Sequence, residues 1–402
     1  MPELVSKRVE KLSKEVKFHP SIVQRLTFWF GYVKAREMLF SLKTPTSWYP
    51  IRVNTLLTTA EELIQILENI GVTAKRHDFL SDILLIPVEG PFRLPSYEKK
   101  VVAYKTAAEG VMRGANLYLT GVREVKDVKK GDNVEIVDKF GQKVAVGKAV
   151  IDLSTLEKNP PKNVVAVEVE QSLYHIPMLR ETNPWNEGLF YQQTIPSAVT
   201  VHILDPQPGE KILDMCAAPG GKTTHIAQLT KGKARIVAVD HSNRKVTRIK
   251  KTLTRLKVRN VKVLRTDART LPERIGEAKF DKILLDPPCT ALGIRPKLFD
   301  GLREKDVIMS ARYQRGFIKA AIKLLKPGGY LVYSTCTLDP DENELNLKFA
   351  MEHYGDLELI EQKFYLGSRG LPLLPDSNKL QRFYPDEHDT PGYFISLLQK
   401  KK

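Results

Sequence analysis

The chain has 402 residues, enough for two or three domains and a full core. Lys and Arg number 63 against 47 Asp and Glu, and the net charge of +16 points to a polyanionic partner, nucleic acid above all. No stretch is long and apolar enough to span a membrane, the first residues lack a signal-peptide run, and three unclustered cysteines give neither a disulfide framework nor a zinc spacing, so a cytoplasmic protein with free thiols and no metal is expected.

Residues 1–91 read as an α+β module. Residues 9–42 carry helix-compatible apolar spacing, and 51–54 make a short strand. Thr59 is placed to cap a helix over 60–69, Glu62 closes a capping box, and Gly71 stops the helix. Residues 83–87 predict another strand. From 92 to 170 the texture turns to β, with alternation over 134–138 and 143–147 and residues 139–142 as the hairpin loop between them. Pro160, Pro161 and Pro177 punctuate the stretch that follows. Within 171–207, residues 183–200 read as a loop leading into a helix.

From 208 to 402 apolar strands alternate with amphipathic helices. Strands are expected over 211–215, 235–240, 261–266, 281–286 and 330–334, and helices over 222–229, 241–256 and 310–325. That alternation predicts an α/β fold with a doubly wound, mostly parallel sheet. Residues 341–402 add one helix and a strand over 393–398. The basic helix carrying Arg244, Lys245, Arg248, Lys250, Lys251, Arg255 and Lys257 reads as a solvated outer face.

The first strand of the sheet runs into Asp214-Met215-Cys216-Ala217-Ala218-Pro219-Gly220-Gly221-Lys222-Thr223-Thr224. A glycine turn between strand and helix offers backbone N–H groups and the positive end of a helix dipole. Gly221-Lys222-Thr223 matches the end of a phosphate-binding P-loop, but the motif's first glycine would fall on Cys216, which disfavours a nucleoside triphosphate. The next strand ends in Asp240, about 20 residues past the turn, where a carboxylate can hold ribose hydroxyls. The third ends at Asp267, which could accept from an adenine amino group, and the fourth at Asp286. One such aspartate alone would read as a helix cap. Four at successive strand ends (Asp214, Asp240, Asp267, Asp286) fit a neutral or cationic adenosine ligand, and S-adenosylmethionine has that chemistry.

Two cysteines sit just beyond strands, in Asp286-Pro287-Pro288-Cys289 and Ser334-Thr335-Cys336-Thr337, where an open α/β sheet puts its ligand. Two thiols there suggest covalent chemistry, one as nucleophile and one as proton handler. Lys222, Arg295 and Lys297 are candidates for the electropositive setting a thiolate needs. Cys216, flanked by Met215 and Ala217, reads as a small buried residue or a backbone lining of the cofactor site. Asp286-Pro287-Pro288-Cys289 is similar to the tetrapeptide of amino-group methyltransferases, but Cys replaces its stacking aromatic and favours attack on a ring carbon.

Together, Cys216 to His225, Asp286 to Cys289 and Ser334 to Thr337 resemble the motifs of the Sun (RsmB-like) family of RNA cytosine-5 methyltransferases, over a match from about residue 188 onward with Gln192 or Gln193 ahead of the cofactor loop. The resemblance implies a Rossmann-like core over 208–402 that binds S-adenosyl-L-methionine through Cys216, Ala217, Ala218, Pro219, Gly220, Gly221, Lys222, Asp240, Lys245, Asp267 and Asp286. It implies Cys336 as the thiolate that adds to carbon 6 of cytosine, making carbon 5 nucleophilic. Cys289 would then remove the carbon 5 proton or assist elimination, Asp286 would hold the base at its ring nitrogen and amine, and Lys222 would help orient it. The target base must be unpaired or flipped.

Residues 92–170, with Gly110-Val111-Met112-Arg113-Gly114-Ala115 and Leu119-Thr120-Gly121-Val122, look like a PUA domain, an RNA-binding β-barrel. The flanks, 1–91 and 171–207, resemble the family's RRM-like N-terminal module, the second flank doubling as linker. A PUA domain so inserted is similar to the branch of the family that modifies the tRNA acceptor stem near the CCA end. Lys105, Arg113, Lys129 and Lys130 are the RNA-contact candidates, and a monomer is expected. Two other readings stay open: a non-catalytic PUA-type RNA-binding protein, against which both thiols, Asp286 and Lys222 count, and an amino-group methyltransferase of a nucleobase, against which Cys289 counts.

Overall fold

The computed structural model describes residues 2–153, 161 and 163–401, so Pro160 lies outside the described residues. The chain opens with helices α1 (Pro2–Val16), α2 (Pro20–Phe30) and α3 (Tyr32–Leu42). Their apolar faces, including Leu12, Leu26 and Leu39, pack against Leu292, Val307 and Leu338 of the C-terminal half. Polar groups tie down the same seam: Arg25 bonds both carboxylate oxygens of Asp339 at 2.8 and 3.0 Å.

Strand β1 (Trp48–Val53) follows, then helix α4 (Ala60–Glu68), strand β2 (Lys75–Arg76) and strand β3 (Ile83–Pro87). The expected capping box is present, with Thr59 accepting from Glu62 N–H and Glu62 reaching back to Thr59. The second segment holds β4 (Lys100–Ala103), α5 (Lys105–Val111), β5 (Leu117–Tyr118), β6 (Val122–Val125), β7 (Asn133–Val137), β8 (Lys143–Ala149) and β9 (Val165–Ser172). They form a six-stranded sheet ordered β5-β9-β8-β7-β4-β6, and the expected hairpin is β7–β8. This segment's apolar core also takes in Leu298 and Phe299 from far along the chain.

Residues 183–200, expected as loop before a helix, contain more. The short helix α6 (Asn183–Asn186) is followed by strand β10 (Phe190–Gln192), and then comes helix α7 (Ile195–Leu204). Strand β10 pairs antiparallel with β1 and completes a four-stranded sheet ordered β10-β1-β3-β2. A three-residue strand whose partner lies across the whole second segment leaves no local periodicity to read.

The last segment contains β11 (Lys211–Asp214), α8 (Gly221–Leu229), β12 (Arg235–Asp240), α9 (Asn243–Arg255), β13 (Val261–Arg265), α10 (Leu271–Ile275), β14 (Phe280–Leu285), α11 (Glu304–Leu324), β15 (Leu325–Thr335) and α12 (Glu344–Tyr354). Strands β16 (Leu357–Leu359), β17 (Ser368–Arg369), β18 (Gln381–Phe383) and β19 (Tyr393–Lys400) end it, three more pieces than the expected helix and strand. The strands order as β13-β12-β11-β14-β15-β19-β18-β17, parallel from β13 to β15 and antiparallel from β15 onward. Alternation along β14 divides the core: Ile283 and Leu285 face one apolar cluster with α11 and α12, while Leu284 faces the other with α7, α8 and α9. Burial on both faces is what makes these strands read as continuous apolar runs. The strand order reverses at β11, so the carboxyl ends of β11 and β14 open a crevice at the switch point.

Among the described residues no helix is long and apolar enough to cross a membrane.

Candidate active site

At the end of β11 the chain turns back through Ala217 to Gly220, and Gly220 N–H donates to Ala217 O at 2.7 Å. Asp214 serves this loop. Its Oδ2 accepts from Thr223 Oγ1 at 2.6 Å, and burial pushes its carboxyl up to about 6. A Cβ on Gly221 would stand 2.7 Å from the ring of Tyr191, so a glycine is required where α8 meets β10. Tyr191, Gln192, Gln193, Ala217, Ala218, Pro219, Gly221, Lys222 and Asp286 line a cleft of about 240 Å³. Cys216 connects it to a narrower recess lined by Asp240, Lys245, Asp267 and Ala268.

The donor set of these two spaces fits an adenosine ligand without phosphate. Asp240 stands at the recess with Lys245 Nζ 3.6 Å and His241 Nδ1 3.3 Å from its Oδ1. Asp267 is partly committed: it accepts from Arg269 N at 3.0 Å, as a cap, and forms an ion pair with the Arg269 guanidinium at 2.5 Å. The cap reading therefore applies to Asp267, which also lines the recess. Cys216 is half-buried, and burial together with Asp214, Asp286 and Asp240 holds its thiol well above the ordinary range.

The ends of β14 and β15 bring the expected reacting groups together. These parallel neighbours pair Leu285 with Tyr333, so the two segments beyond them continue side by side. Cys289 Sγ and Cys336 Sγ are 3.3 Å apart. Lys222 Nζ lies 2.5 Å from Asp286 Oδ2, while Ser334 Oγ and Tyr393 OH donate to Asp286 Oδ1 at 3.2 and 3.3 Å. Asp286 and Tyr393 hold the Lys222 ammonium well above its ordinary pKa against the opposing effect of burial. Cys289 is likewise raised, first by its hydrogen bond to Cys336, then by burial.

Two of the three cations expected near the thiols are engaged elsewhere. Arg295 donates to Thr44 O, Pro45 O and Pro385 O and pairs with Asp389. Lys297 binds Ala291 O and Asp300. Only Lys222 of that set reaches the reacting end.

Sequence reasoning missed the groups that hold the two thiol segments. Gly293 N–H donates to Cys336 O at 2.9 Å, and Gly392 N–H donates to Gly293 O at 2.8 Å. Glu342 accepts from Thr290 N at 3.0 Å and Gln314 Nε2 at 2.8 Å, while Asn343 binds the hydroxyl of Thr335 and the carbonyl of Thr337. Both Glu342 and Asn343 are fully buried. Neither Glu342 nor Asn343 had a signal in the sequence, because their burial and their partners arise only in the fold.

Behind the cofactor loop, Arg52 bonds Gln193, Gly221 O and Thr224. Asp82 accepts from His225 Nε2 at 2.6 Å and His202 Nε2 at 2.9 Å, one imidazole on each oxygen. Burial lowers His225 to about 3, so it stays neutral in this tie between β3 and α8.

Of the RNA-contact candidates, Arg113 lines two clefts, of about 450 and 410 Å³, that share Tyr49, Arg113 and Gln192. Gln192 also lines the cofactor cleft, so the three clefts adjoin at that residue and are taken together as one trough. Lys105 lies 3.6 Å from Asp300, and Lys129 and Lys130 are exposed on the turn between β6 and β7. Arg180, 2.9 Å from Gln192, borders the same trough and was not anticipated.

Residues 201–399 match the family described as 16S rRNA methyltransferase RsmB/F, and residues 99–171 match the PUA domain. The chain is 45% identical over 377 residues to a tRNA (cytosine(72)-C(5))-methyltransferase of Pyrococcus horikoshii, covering 93% of this chain and 94% of the relative. It is 31% identical to the human tRNA (cytosine(72)-C(5))-methyltransferase NSUN6, covering 98% and 92%. A crystal structure of NSun6 from Pyrococcus horikoshii with SFG, an S-adenosylmethionine analogue, superposes with a TM-score of 0.89 at 43% identity, covering 96% of this chain and 99% of that one.

Proposed function

Because the chain belongs to the RsmB/F (Sun) family of methyltransferases and carries a PUA domain, we propose that it methylates carbon 5 of a cytosine in tRNA, at position 72 of the acceptor stem beside the CCA end. The observation that carries this reading is the pair of thiols 3.3 Å apart, beside the Asp286–Lys222 pair at the carboxyl edge of the sheet.

S-adenosylmethionine, when bound, would supply an electrophilic methyl group, its sulfonium sulfur keeping the bond pair and leaving as the neutral thioether S-adenosylhomocysteine. Asp240 and Asp267 would hold its ribose and adenine, with Ala217 and Ala218 as walls of the cleft. Asp286 accepts from the cytosine's exocyclic amine, and from ring nitrogen 3 once that nitrogen takes a proton as the ring is attacked; Lys222 keeps the carboxylate turned toward the base. The Cys336 thiolate forms the S–C6 bond, and the electron pair of the 5,6 double bond moves to carbon 5, which takes the methyl group. Cys289 as thiolate then removes the carbon 5 proton. The 5,6 double bond returns, the S–C6 bond breaks, and Cys336 leaves as thiolate.

Residues 1–91 and 171–207 form an RRM-like module interrupted by the PUA segment at 92–170. The antiparallel order β10-β1-β3-β2 supports this, because a four-stranded sheet with a helix on it is rebuilt only when the strand after the insertion returns. The trough between PUA segment and thiols is the route for the single-stranded 3′ end, with Arg113 and Arg180 near phosphates and exposed Phe79 offered for stacking.

Mass analysis of tRNA nucleosides with mapping of the modified position tests the reaction, and 5-methylcytosine at position 72 is expected. Cys336→Ala should abolish methylation and form no covalent RNA adduct. Cys289→Ala should stop turnover but accumulate the adduct, since release is blocked. N-methylated bases, or no methylation at all, would refute the reading, and an adduct with Cys336→Ala but none with Cys289→Ala would reverse the thiol roles.

A further inference from the structure

Residues 243–265 hold ten Lys and Arg and no Asp or Glu, in a chain whose net charge is +16. They make α9 and the edge strand β13 of the large sheet, which pack side by side. The apolar positions Val246, Ile249 and Leu253, at helical spacing, are buried, and Arg244, Arg248, Lys250 and Lys251 between them are exposed. Within this stretch only Lys245 reaches a carboxylate, Asp240 at 3.6 Å, and the exposed cations, Lys257 and Lys262 included, have no acidic partner among the described residues. We propose that this face docks the paired body of the tRNA through its backbone phosphates while the single-stranded 3′ end lies in the trough, an inference that rests on tRNA being the substrate.

Stability does not account for the face. Arg244 and Arg248, and Lys251 and Arg255, are like-charge pairs four residues apart, which weaken a helix. Arg244 and Lys245 stand in the first turn, which holds no acidic residue, and the helix dipole disfavours cations there. Surface charge that serves stability mixes both signs. A run of one sign kept against these costs fits a polyanion that supplies the missing charge.

The side chains on the face favour RNA over a protein or a membrane. Among the described residues of 243–265 no large apolar side chain is exposed, so there is neither a hydrophobic anchor for a protein partner nor a wedge for lipid. Thr247 and Thr254 are exposed among the cations, and hydroxyls bond phosphate oxygens as cations do. The position also suits a substrate seated in the trough. The 13 residues of α9 span about 20 Å. At one end Lys245 lines the cofactor recess. At the other Arg255 lies over the ring of Trp185 at 3.5 Å, and Arg180 of the trough lies over the same ring at 5.8 Å. A duplex carries roughly one charge per 2 Å of axis, so a face of this length meets several phosphates.

The test compares the parent with two triple variants of equal charge change. Arg248→Gln, Lys250→Gln and Lys251→Gln strip the face. Arg312→Gln, Lys319→Gln and Lys348→Gln strip exposed cations of α11 and α12, on the opposite side of the sheet. Glutamine matches Lys and Arg in helix propensity, so both triples should fold, and S-adenosylmethionine affinity within about twofold of the parent checks this. Dissociation constants are measured at several salt concentrations for intact tRNA and for tRNA lacking its single-stranded 3′ end. The first triple should weaken both RNAs about tenfold and lower the salt slope by about two, with KM for intact tRNA raised and kcat held. The second should change either affinity by less than about twofold, because charges far from the RNA are screened. Unchanged tRNA binding by the first triple would overturn the proposal, and so would equal losses in the two triples, which would mark net charge alone. A loss confined to intact tRNA would overturn it too, by placing the 3′ end on this face. Lost capture on vesicles of anionic phospholipid, with tRNA binding intact, would assign the face to a membrane and overturn it. A parent protein that forms no 5-methylcytosine in tRNA would sink the tRNA reading and this inference with it, whereas normal methylation with an unmoved tRNA affinity in the first triple sinks the inference alone.

Discussion

The carboxylate of Asp286 has one oxygen held by Lys222 and the other shared by Ser334 and Tyr393, so its direction is set before any base arrives. Such fixed orientation is the general source of electrostatic catalysis in a crevice. Asp240 is different, being held by longer contacts to His241, Lys245 and the Ser242 backbone N–H, all on Oδ1, and it keeps acceptor capacity for a ligand. Asp240→Ala should weaken S-adenosylmethionine binding by about 1.5–3 kcal/mol, the scale of a lost charge-assisted hydrogen bond. Asp267→Ala should weaken it less, because Arg269 already shares that carboxylate. Calorimetry that found both affinities unchanged would remove the adenosine assignment. A second prediction concerns Glu342, whose carboxyl is raised to about 7 in the fold from 4.5. The folded state then holds this proton more tightly than the unfolded chain, so the contribution to stability is present below about pH 4.5 and is lost as pH rises to about 7. Glu342→Gln should therefore be more stable than the parent at pH 8, by about 1–3 kcal/mol, with the gain vanishing near pH 4.5. Denaturant melts at the two pH values check it, and an equal shift at both would show that packing and not charge is responsible. Cys289, Cys336, Asp286 and Lys222 were legible in the sequence because each lies in a compact motif at a strand end. Glu342, Gln314 and Tyr393 were not, because their roles depend on contacts between residues 28 and 107 positions apart.

At the level of elements, the site is made by two loops that follow adjacent parallel strands and are bolted together by backbone. Gly293 is the bolt. Its N–H holds Cys336 O, and a Cβ there would stand 2.0 Å from Gly392 O. Gly293→Ala must push the segments after Cys289 and before β19 apart. We expect a loss of about 3 kcal/mol of stability, at the upper end for overpacking, and a larger loss of adduct formation than of S-adenosylmethionine binding, which uses the other side of β14. Equal loss of both would mean that the damage is general. The capping box at Thr59 and the β7–β8 hairpin were predicted because their signals are local. Strand β10 was not, since the partner of Gln192 is Ile51, on the far side of the whole second segment in sequence. Arg255 shows the same limit: on a helix read as a solvated face, it lies over the ring of Trp185 at 3.5 Å and bonds Phe190 O.

On the scale of the whole molecule, the +16 charge favours a polyanionic partner of any sequence, and the trough is the proposed path for one. The order of segments was legible from texture and spacing, but the path between them was not, because Tyr49, Arg113, Arg180 and Gln192 come from three stretches that meet only in the fold. Removing residues 92–170 outright would be a poor test. Leu298 and Phe299 complete that segment's core, and deletion would bare them beside the thiol loop. Point changes discriminate better. Arg113→Ala should lower tRNA affinity by about 1 kcal/mol and reduce the salt slope by about one, as for one lost phosphate contact. Because Arg113 lines the trough, the loss should shrink when the tRNA lacks its single-stranded 3′ end, whereas a loss from Lys130→Ala, on an exposed turn, should not depend on that end. Binding titrations at several salt concentrations with intact and shortened tRNA separate the two. If Arg113→Ala weakens both RNAs equally, the trough is not the route of the 3′ end, and the acceptor-stem target would need another mode of docking.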